Sequence, residues 1–338
     1  MSVLVTGGTG FIGSHTVVEL LETGYEVVII DNLSNSKESV LDSIFRITNK
    51  KPIFYKGDIR DSNLLDKIFT ENSIDFIIHF AGLKAVEEST RLPLKYYDNN
   101  VYGSIILFRA MKKNNIKNIV FSSSATVYGL KNESPLTEDM PTEPINPYGR
   151  SKLHIEEILK DIYQSDNSLS IVILRYFNPI GAHPSGLIGE NPKDIPNNLM
   201  PYILKVAKKE LQYLKIFGND YDTPDGTGIR DYVHVVDLAN AHIKALNFIK
   251  KNKTNPILEI FNIGNGRGYS VLDLVKTFEN KNRIKIPYRI IDRRPGDVAI
   301  CYSNTSKILN EFNWNPLFSI EDMVKHSWNN KLIKKGGF

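Results

Sequence analysis

The chain has 338 residues, 41% of them hydrophobic and 24% charged, the balance of a soluble globular protein of about two domains. Its net charge of +4 is spread along the chain, too mild a basic excess to point to nucleic acid. One cysteine, Cys301, excludes an internal disulfide and a cysteine-rich zinc site, and the seven histidines are scattered with no His-Glu-x-x-His pattern, so no metal is expected. Residues 1–6 lack the basic start and long apolar run of a signal peptide, and no apolar run reaches the ~18 residues a membrane helix needs. The expectation is a cytoplasmic protein that works away from membranes.

Short apolar runs at 3–5, 27–30, 76–80, 119–122 and 171–175 read as buried strands, and 12–23, 62–71, 101–114 and 147–164 read as helices. Such alternation gives right-handed β-α-β units, hence an α/β fold with a Rossmann-type, doubly wound parallel sheet. Gly24 is placed to end the first helix. The pattern then changes: 177–194 reads as loop, 200–210 as helix, 219–228 as a polar loop and 232–235 as a strand. Asp237 is placed to cap a helix over 238–249, and Ser270 to cap one over 271–279 after the glycine-rich 262–268. Residues 319–332 are amphipathic, and the lysine-rich 331–335 reads as a solvated tail. We expect a dinucleotide-binding domain over 1–176, rejoined by about 229–250, and a smaller α/β substrate lobe over most of 177–338.

Gly7, Gly10 and Gly13 follow the first strand and open the first helix in the spacing G-x-x-G-x-x-G. Glycine allows a tight turn and lets a pyrophosphate approach the helix N-terminus, where free N–H groups and the helix dipole favour negative charge. Alone, such a turn is a weak signal. Asp31, eighteen positions after Gly13, ends the second strand, where a carboxylate accepts both adenosine ribose hydroxyls and repels a 2′-phosphate. The following Asn32, Leu33, Ser34, Asn35 and Ser36 bring no cation before Lys37, so the cofactor reads as NAD rather than NADP. Asp58 and Ile59 fall where the adenine edge would be read. Phe80, Ala81, Gly82, Leu83 and Lys84 close the fourth strand, where small residues let a cofactor approach, although Lys84 also reads as a plain surface charge.

Ser124 ends a strand, and Tyr148 and Lys152, four apart, share one helix face. Free tyrosine, with a pKa near ~10, is a poor base at neutral pH. A neighbouring ammonium and a positive nicotinamide both favour phenolate, which can take a proton from a sugar hydroxyl as hydride leaves the same carbon. Ser124 can hydrogen-bond that oxygen.

Together these residues resemble the extended short-chain dehydrogenase/reductase superfamily and, within it, the UDP-glucose 4-epimerase (UDP-galactose 4-epimerase) family. The resemblance covers nearly the whole chain and rests on 5–15, 31–36, 80–84, 96–103, 122–129, 148–152, 175–189, 195–201, 226–237 and 293–297. It implies interconversion of UDP-galactose and UDP-glucose: oxidation at C4 by tightly held NAD, rotation of a 4-keto sugar, and re-reduction. It further implies Phe11 and Ile12 on the pyrophosphate turn, Asn99 near the cofactor, Tyr148 as acid/base, Lys152 on the nicotinamide ribose and Phe177 beside the nicotinamide. Asn178, Asn198 and Leu199 would face the UDP-sugar, Lys215, Ile216 and Phe217 the uridine, Arg230 and Arg294 the diphosphate, and Asp297 the uridine ribose. Planar bidentate donors suit a diphosphate on charge grounds alone. Cys301 falls where some members carry a bulky tyrosine, and a small residue there goes with acceptance of N-acetylhexosamines; Tyr302 is adjacent, so a one-residue slip would reverse that. The helices over 101–114 and 147–164 resemble those through which the family forms a homodimer.

Other readings remain. A nucleotide-sugar 4,6-dehydratase needs an extra acid and base beside the serine, whereas Ala125 and Thr126 follow Ser124. A UDP-glucuronate decarboxylase or epimerase wants a further cation for the C6 carboxylate. A non-catalytic dinucleotide sensor has no use for Tyr148 and Lys152 together.

Overall fold

The computed structural model describes residues 1–191, 198–294 and 296–330. The first half runs β1 (Ser2–Thr6), α1 (Phe11–Glu22), β2 (Glu26–Asp31), α2 (Val40–Thr48), β3 (Ile53–Lys56), α3 (Ser62–Glu71) and β4 (Phe76–His79). It continues with α4 (Val86–Arg91), α5 (Pro93–Tyr96), a π-helical turn (Tyr97–Tyr102), α6 (Gly103–Lys113), β5 (Asn118–Ser124), a 3-10 turn (Ala125–Tyr128), α7 (Pro147–Ser165) and β6 (Ser170–Tyr176). The second half holds β7 (Asn178–Ile180), α8 (Leu199–Ala207), β8 (Leu214–Phe217), β9 (Ile229–His234), α9 (Val235–Lys251), β10 (Leu258–Ile263) and β11 (Gly268–Ser270). It ends with α10 (Val271–Asn282), β12 (Tyr288–Ile291), β13 (Ile300–Cys301), α11 (Ser306–Phe312) and α12 (Ile320–Asn329).

Seven parallel strands lie in the order β10-β6-β5-β4-β1-β2-β3. The expected α/β, Rossmann-type class is therefore observed. Both faces are covered, so the central strands are apolar at successive positions rather than at alternate ones. Val3, Val5, Ile29, Ile78, Val120 and Val172 enter one core, against α1 and α9. Leu4, Val28, Ile77, Ile119 and Ile171 enter the other, against α3, α6 and α7. Strand order reverses between β1 and β4, and a crevice opens beyond the carboxyl ends of strands at such a point. A third core, under α8, α10 and α12, supports a small sheet of β11, β9 and β13 with β7 paired to β9, and β8 pairs with β12. No helix among the described residues is long and apolar enough to cross a membrane.

Several local expectations change. The edge strand β3, half exposed, and β10 were not foreseen, and a short strand, β7, lies in the stretch read as loop. The helix placed at 238–249 begins at Val235 with His234 as its cap: the ring accepts from the Val236 N–H at 3.1 Å. Asp237 instead accepts the Leu317 and Phe318 N–H groups at 3.0 and 3.1 Å, tying the approach to α12 onto α9. Ser270 caps α10 as expected, in a reciprocal box with Asp273. The lysine-rich 331–335 lies outside the described residues.

Four histidines are buried in this fold, and burial lowers His15 and His79 to about 3, His242 to about 4 and His234 to about 2. They are neutral when folded and protonate near pH ~6.5 when unfolded. Their stabilisation is complete above that pH and is lost as the pH falls toward the folded values. Glu19 and Asp237 oppose this: burial raises them to about 7 and about 6, so the folded chain holds two protons that the unfolded chain releases. Near pH ~5.5, unfolding takes up four protons and gives back two, a loss of ~3 kcal/mol of stability per pH unit. Urea-unfolding midpoints should therefore fall steeply between pH ~6 and ~5, and a flat profile would contradict neutral burial.

Candidate active site

The glycine turn sits in the crevice at the strand-order reversal. Gly7 has φ +72°, and a Cβ there would lie 2.9 Å from the Ala81 backbone nitrogen, while one on Gly13 would lie 2.3 Å from the Gly7 carbonyl oxygen. Only glycine allows α1 to start so close to β1 and to the exit of β4. Gly10 caps α1 without a side-chain hydrogen bond. Intrahelical partners are lacking for the first-turn N–H groups, Phe11 and Ile12 among them, and the dipole adds positive charge.

Asp31 shapes the neighbouring loop. Its carboxylate accepts from Thr9 N–H at 3.1 Å, Leu33 N–H at 2.9 Å and Ser36 Oγ at 3.2 Å, and Ser36 also bonds Thr9 Oγ1 at 2.6 Å. Asn32 donates to Asp58 at 3.0 Å and accepts from Ser34 N–H at 3.0 Å. Asn35 lies exposed on the same loop. The Arg60 guanidinium, 2.9 Å away, holds the Asp58 carboxyl well below the usual range. Ile59 turns inward: it is 5% exposed within the core, so only its backbone can face a ligand.

Across the crevice, Phe80 packs its ring 4.8 Å from His242, and the Ala81 N–H donates to Thr6 Oγ1 at 3.1 Å. Gly82 lies over Lys152: a Cβ there would be 3.8 Å from Nζ. Sequence reasoning picked Asn99 but missed its neighbour Asn100. Asn100 is buried, accepts from Leu83 N–H at 2.8 Å and from Asn99 Nδ2 at 3.0 Å, and donates to the Leu83 carbonyl and Ser151 Oγ, each at 3.0 Å. It sits in the π-helical turn, whose wider repeat an α-helical count does not anticipate. Lys84 pairs at 3.3 Å with Glu190, which also accepts from Asn198 Nδ2 at 2.8 Å; Glu190 was not foreseen either.

Ser124 Oγ accepts from Thr126 N–H at 3.3 Å and from its hydroxyl at 3.0 Å. Asn146 caps α7, accepting from Gly149 N–H at 2.8 Å, with Pro147 leading the first turn. A Cβ on Gly149 would be 2.9 Å from Pro144 Cβ and 3.1 Å from the Thr126 carbonyl, so glycine lets this turn press the Tyr148 segment against the Ser124 segment. Lys152 is buried, donates to the Ser122 carbonyl at 2.7 Å and lies 5.0 Å from the Phe121 ring. Burial lowers it to about 8, opposed by the charge of Glu156. Burial pushes the Tyr148 phenol up, and its hydrogen bond with Ser124 pulls it down.

Phe177 packs with Val127, Tyr128 and Leu136, and Cys301 closes on that cluster. Burial raises the Cys301 thiol to about 11, so it is neutral. Tyr302 faces elsewhere: its ring would meet a Cβ on Gly268 at 3.4 Å. Asn178 lies on β7 opposite Tyr232, and Asn198 and Leu199 open α8. Strand alternation splits the next group, with Lys215 exposed and Ile216 buried in the core, so Ile216 can offer a ligand only its backbone. Phe217 lies under Arg294 at 4.6 Å. Asp297 stands between two guanidinium groups, 3.1 Å from Arg294 and 3.6 Å from Arg230, while Arg230 also donates to the Ile229 and Val298 carbonyls at 2.8 and 2.9 Å.

Comparison with known proteins agrees with this geometry. A family model described as GDP-mannose 4,6 dehydratase matches residues 4–327. UDP-glucose 4-epimerase from Pasteurella multocida is 56% identical over 97% of this chain and 96% of its own. The Bacillus subtilis enzyme of the same name is 54% identical over the same shares. A solved structure of UDP-glucose 4-epimerase from Bifidobacterium longum, in complex with NAD+ and UDP, is 51% identical, covers 100% of both chains and superposes with a TM-score of 0.95. With the nucleotide-type turn, the Ser124, Tyr148 and Lys152 segments and the paired arginines carried on one continuous likeness, the chain belongs to the UDP-glucose 4-epimerase family.

Proposed function

We propose that the chain interconverts UDP-galactose and UDP-glucose by inversion at C4, with NAD as a resident cofactor. The observation that carries this is the Ser124–Tyr148–Lys152 set beside the glycine turn, in a chain more than half identical from end to end to UDP-glucose 4-epimerases. The residues fit NAD: the uncapped start of α1 suits a pyrophosphate, and the Asp31 carboxylate suits ribose hydroxyls while opposing a 2′-phosphate. Phe80–Lys84, Asn99 and Phe177 complete its walls.

Bound NAD supplies the hydride acceptor, the hydride donor once reduced, and a positive ring that favours phenolate. Tyr148 Oη takes the C4 hydroxyl proton and later returns it. Ser124 Oγ, oriented by Thr126, holds the C4 oxygen. Lys152 adds positive charge one helical turn from the phenol. Arg230 and Arg294 grip the diphosphate, Asp297 and the β8 segment the uridine end, and Asn178, Asn198 and Leu199 the remaining wall. Firm contacts on UDP leave the 4-keto sugar free to present its other face. Elimination of water is disfavoured, because Ala125 and Thr126 beside Ser124 offer no ionisable acid or base.

The neutral, compact Cys301 thiol on the Phe177 wall leaves room that a phenol would fill, so we extend the substrates to UDP-N-acetylglucosamine and its galactosamine epimer. We also place the enzyme in the cytoplasm, where a lone thiol stays reduced. Proton NMR time courses with a trace of NAD test these readings. Both UDP-galactose and UDP-N-acetylgalactosamine should convert. Tyr148→Phe should slow both by about 10³-fold, and Cys301→Tyr should abolish only the N-acetylated pair. Unchanged UDP-galactose would reject the function, and parental turnover of the N-acetylated pair by Cys301→Tyr would reject the assignment of Cys301.

A homodimer is the assembly we infer. Val86, Leu92, Leu94 and Tyr102 are exposed along α4, α5 and the π-helical turn beside α7, and Leu94 is 80% exposed. Sedimentation at micromolar protein should give twice the chain mass, and Leu94→Asp should shift the chain toward monomer; a monomeric parent would overturn this.

A further inference from the structure

Tyr148, Lys152 and Glu156 are spaced by four on α7 and so form one stripe. The first two enter the proposed chemistry; Glu156 does not touch it. Glu156 is fully buried, 0% exposed. Its carboxylate accepts from Ser123 Oγ at 2.5 Å and from Arg175 Nε and Nη2 at 3.1 and 2.7 Å. Arg175, 2% exposed, lies over the Tyr128 ring at 4.8 Å and donates to the Glu138 carbonyl at 3.1 Å. Ser123 adjoins Ser124 at the end of β5, and Arg175 precedes Phe177 by two at the end of β6. One carboxylate thus gathers both strand ends onto the helix that carries Tyr148 and Lys152.

A buried ion pair is a poor source of stability, since desolvation offsets much of the attraction, and apolar residues of similar volume do as well. Its presence here points to a role in the site. We propose that Glu156 is a positioning residue: it sets Ser124 and Phe177 against the Tyr148–Lys152 helix, and its negative charge keeps the buried Lys152 an ammonium. This rests on the epimerase reading of the site.

The charged and titratable surroundings of Lys152 are few. Its own helix offers Tyr148 and Glu156. From β4 comes His79, neutral through burial, and from β5 the Ser122 carbonyl and the Phe121 ring. From β6 comes Arg175, paired with Glu156, while the Glu138 carboxylate is engaged by the Asn262 N–H at 2.8 Å. Burial alone drives Lys152 toward the neutral amine, and Glu156 opposes it. Removing that charge also leaves Arg175 unpaired, so both consequences disfavour the ammonium.

The test is a titration of Lys152 in the NAD-loaded enzyme by NMR of ¹³Cε-lysine, the signal being assigned by its loss in Lys152→Arg. Glu156→Gln should lower the Lys152 midpoint by about one pH unit or more. It should cut kcat at pH ~7.5 about threefold or more, in proportion to the lost ammonium, with KM for UDP-galactose within about twofold. Glu156→Gln/Arg175→Met removes the unpaired charge, so its midpoint should lie between those of Glu156→Gln and the parent. Ser123→Ala should leave the midpoint unchanged. Should Glu156→Gln fail to fold, the double variant decides, since its midpoint must still fall below the parent's. A Lys152 midpoint equal to the parent's in either Glu156 variant would overturn the proposal. The titration needs no turnover, so its failure is separable from failure of the epimerase reading.

Discussion

A buried ammonium is the constraint around which the site is built. Removing such an ion from water costs several kcal/mol even after the protein relaxes. Lys152 meets this with the Ser122 carbonyl, the Phe121 ring and a carboxylate one turn further along α7. Each partner fixes an element. The carbonyl requires β5 to end beside α7, and the ring requires the β5 register that turns Phe121 toward the helix. The carboxylate brings Arg175, and with it the end of β6. The same arrangement delivers Ser124 and Tyr148 to one place, since Gly149 lets α7 pack directly on the turn after Ser124.

The rest of the crevice divides by charge. At the sheet, the glycine turn and Asp31 present backbone N–H groups and a carboxylate at the ends of the adjacent strands β1 and β2. Beside β9 and β13, Arg230 and Arg294 flank Asp297 and supply guanidinium donors. Between these ends lie neutral groups: Phe177, Cys301 and the buried face of Tyr148. A ligand with a charged nucleotide end and an uncharged sugar end matches this gradient, anchored at one end and loosely held at the other.

Much of this was legible in the sequence, for physical reasons. Strands β1, β2, β4, β5 and β6 are buried on both faces, so they stand out as continuous apolar runs. Edge strand β3 is half exposed and mixes Ile53 and Phe54 with Tyr55 and Lys56, so it carries no such signal. Spacing placed Tyr148 and Lys152 on one face but could not show that the ammonium donates to the Ser122 carbonyl or that burial pushes the phenol up. Motif positions named Ile59 and Ile216, whose side chains the alternation of the backbone sends into the cores. Asn100 stayed hidden because a π-helical turn shifts the register, and Glu156 because its partners are remote in sequence.

The central claim is that hydride leaves C4 and returns to it within one closed site while Tyr148 handles only the hydroxyl proton. UDP-galactose carrying deuterium at C4 tests this directly, by mass spectrometry and NMR of the UDP-glucose formed in ordinary water. The account predicts full retention of deuterium at C4. Washout of the label to solvent would mean that the C4 hydrogen is removed as a proton, and would contradict it.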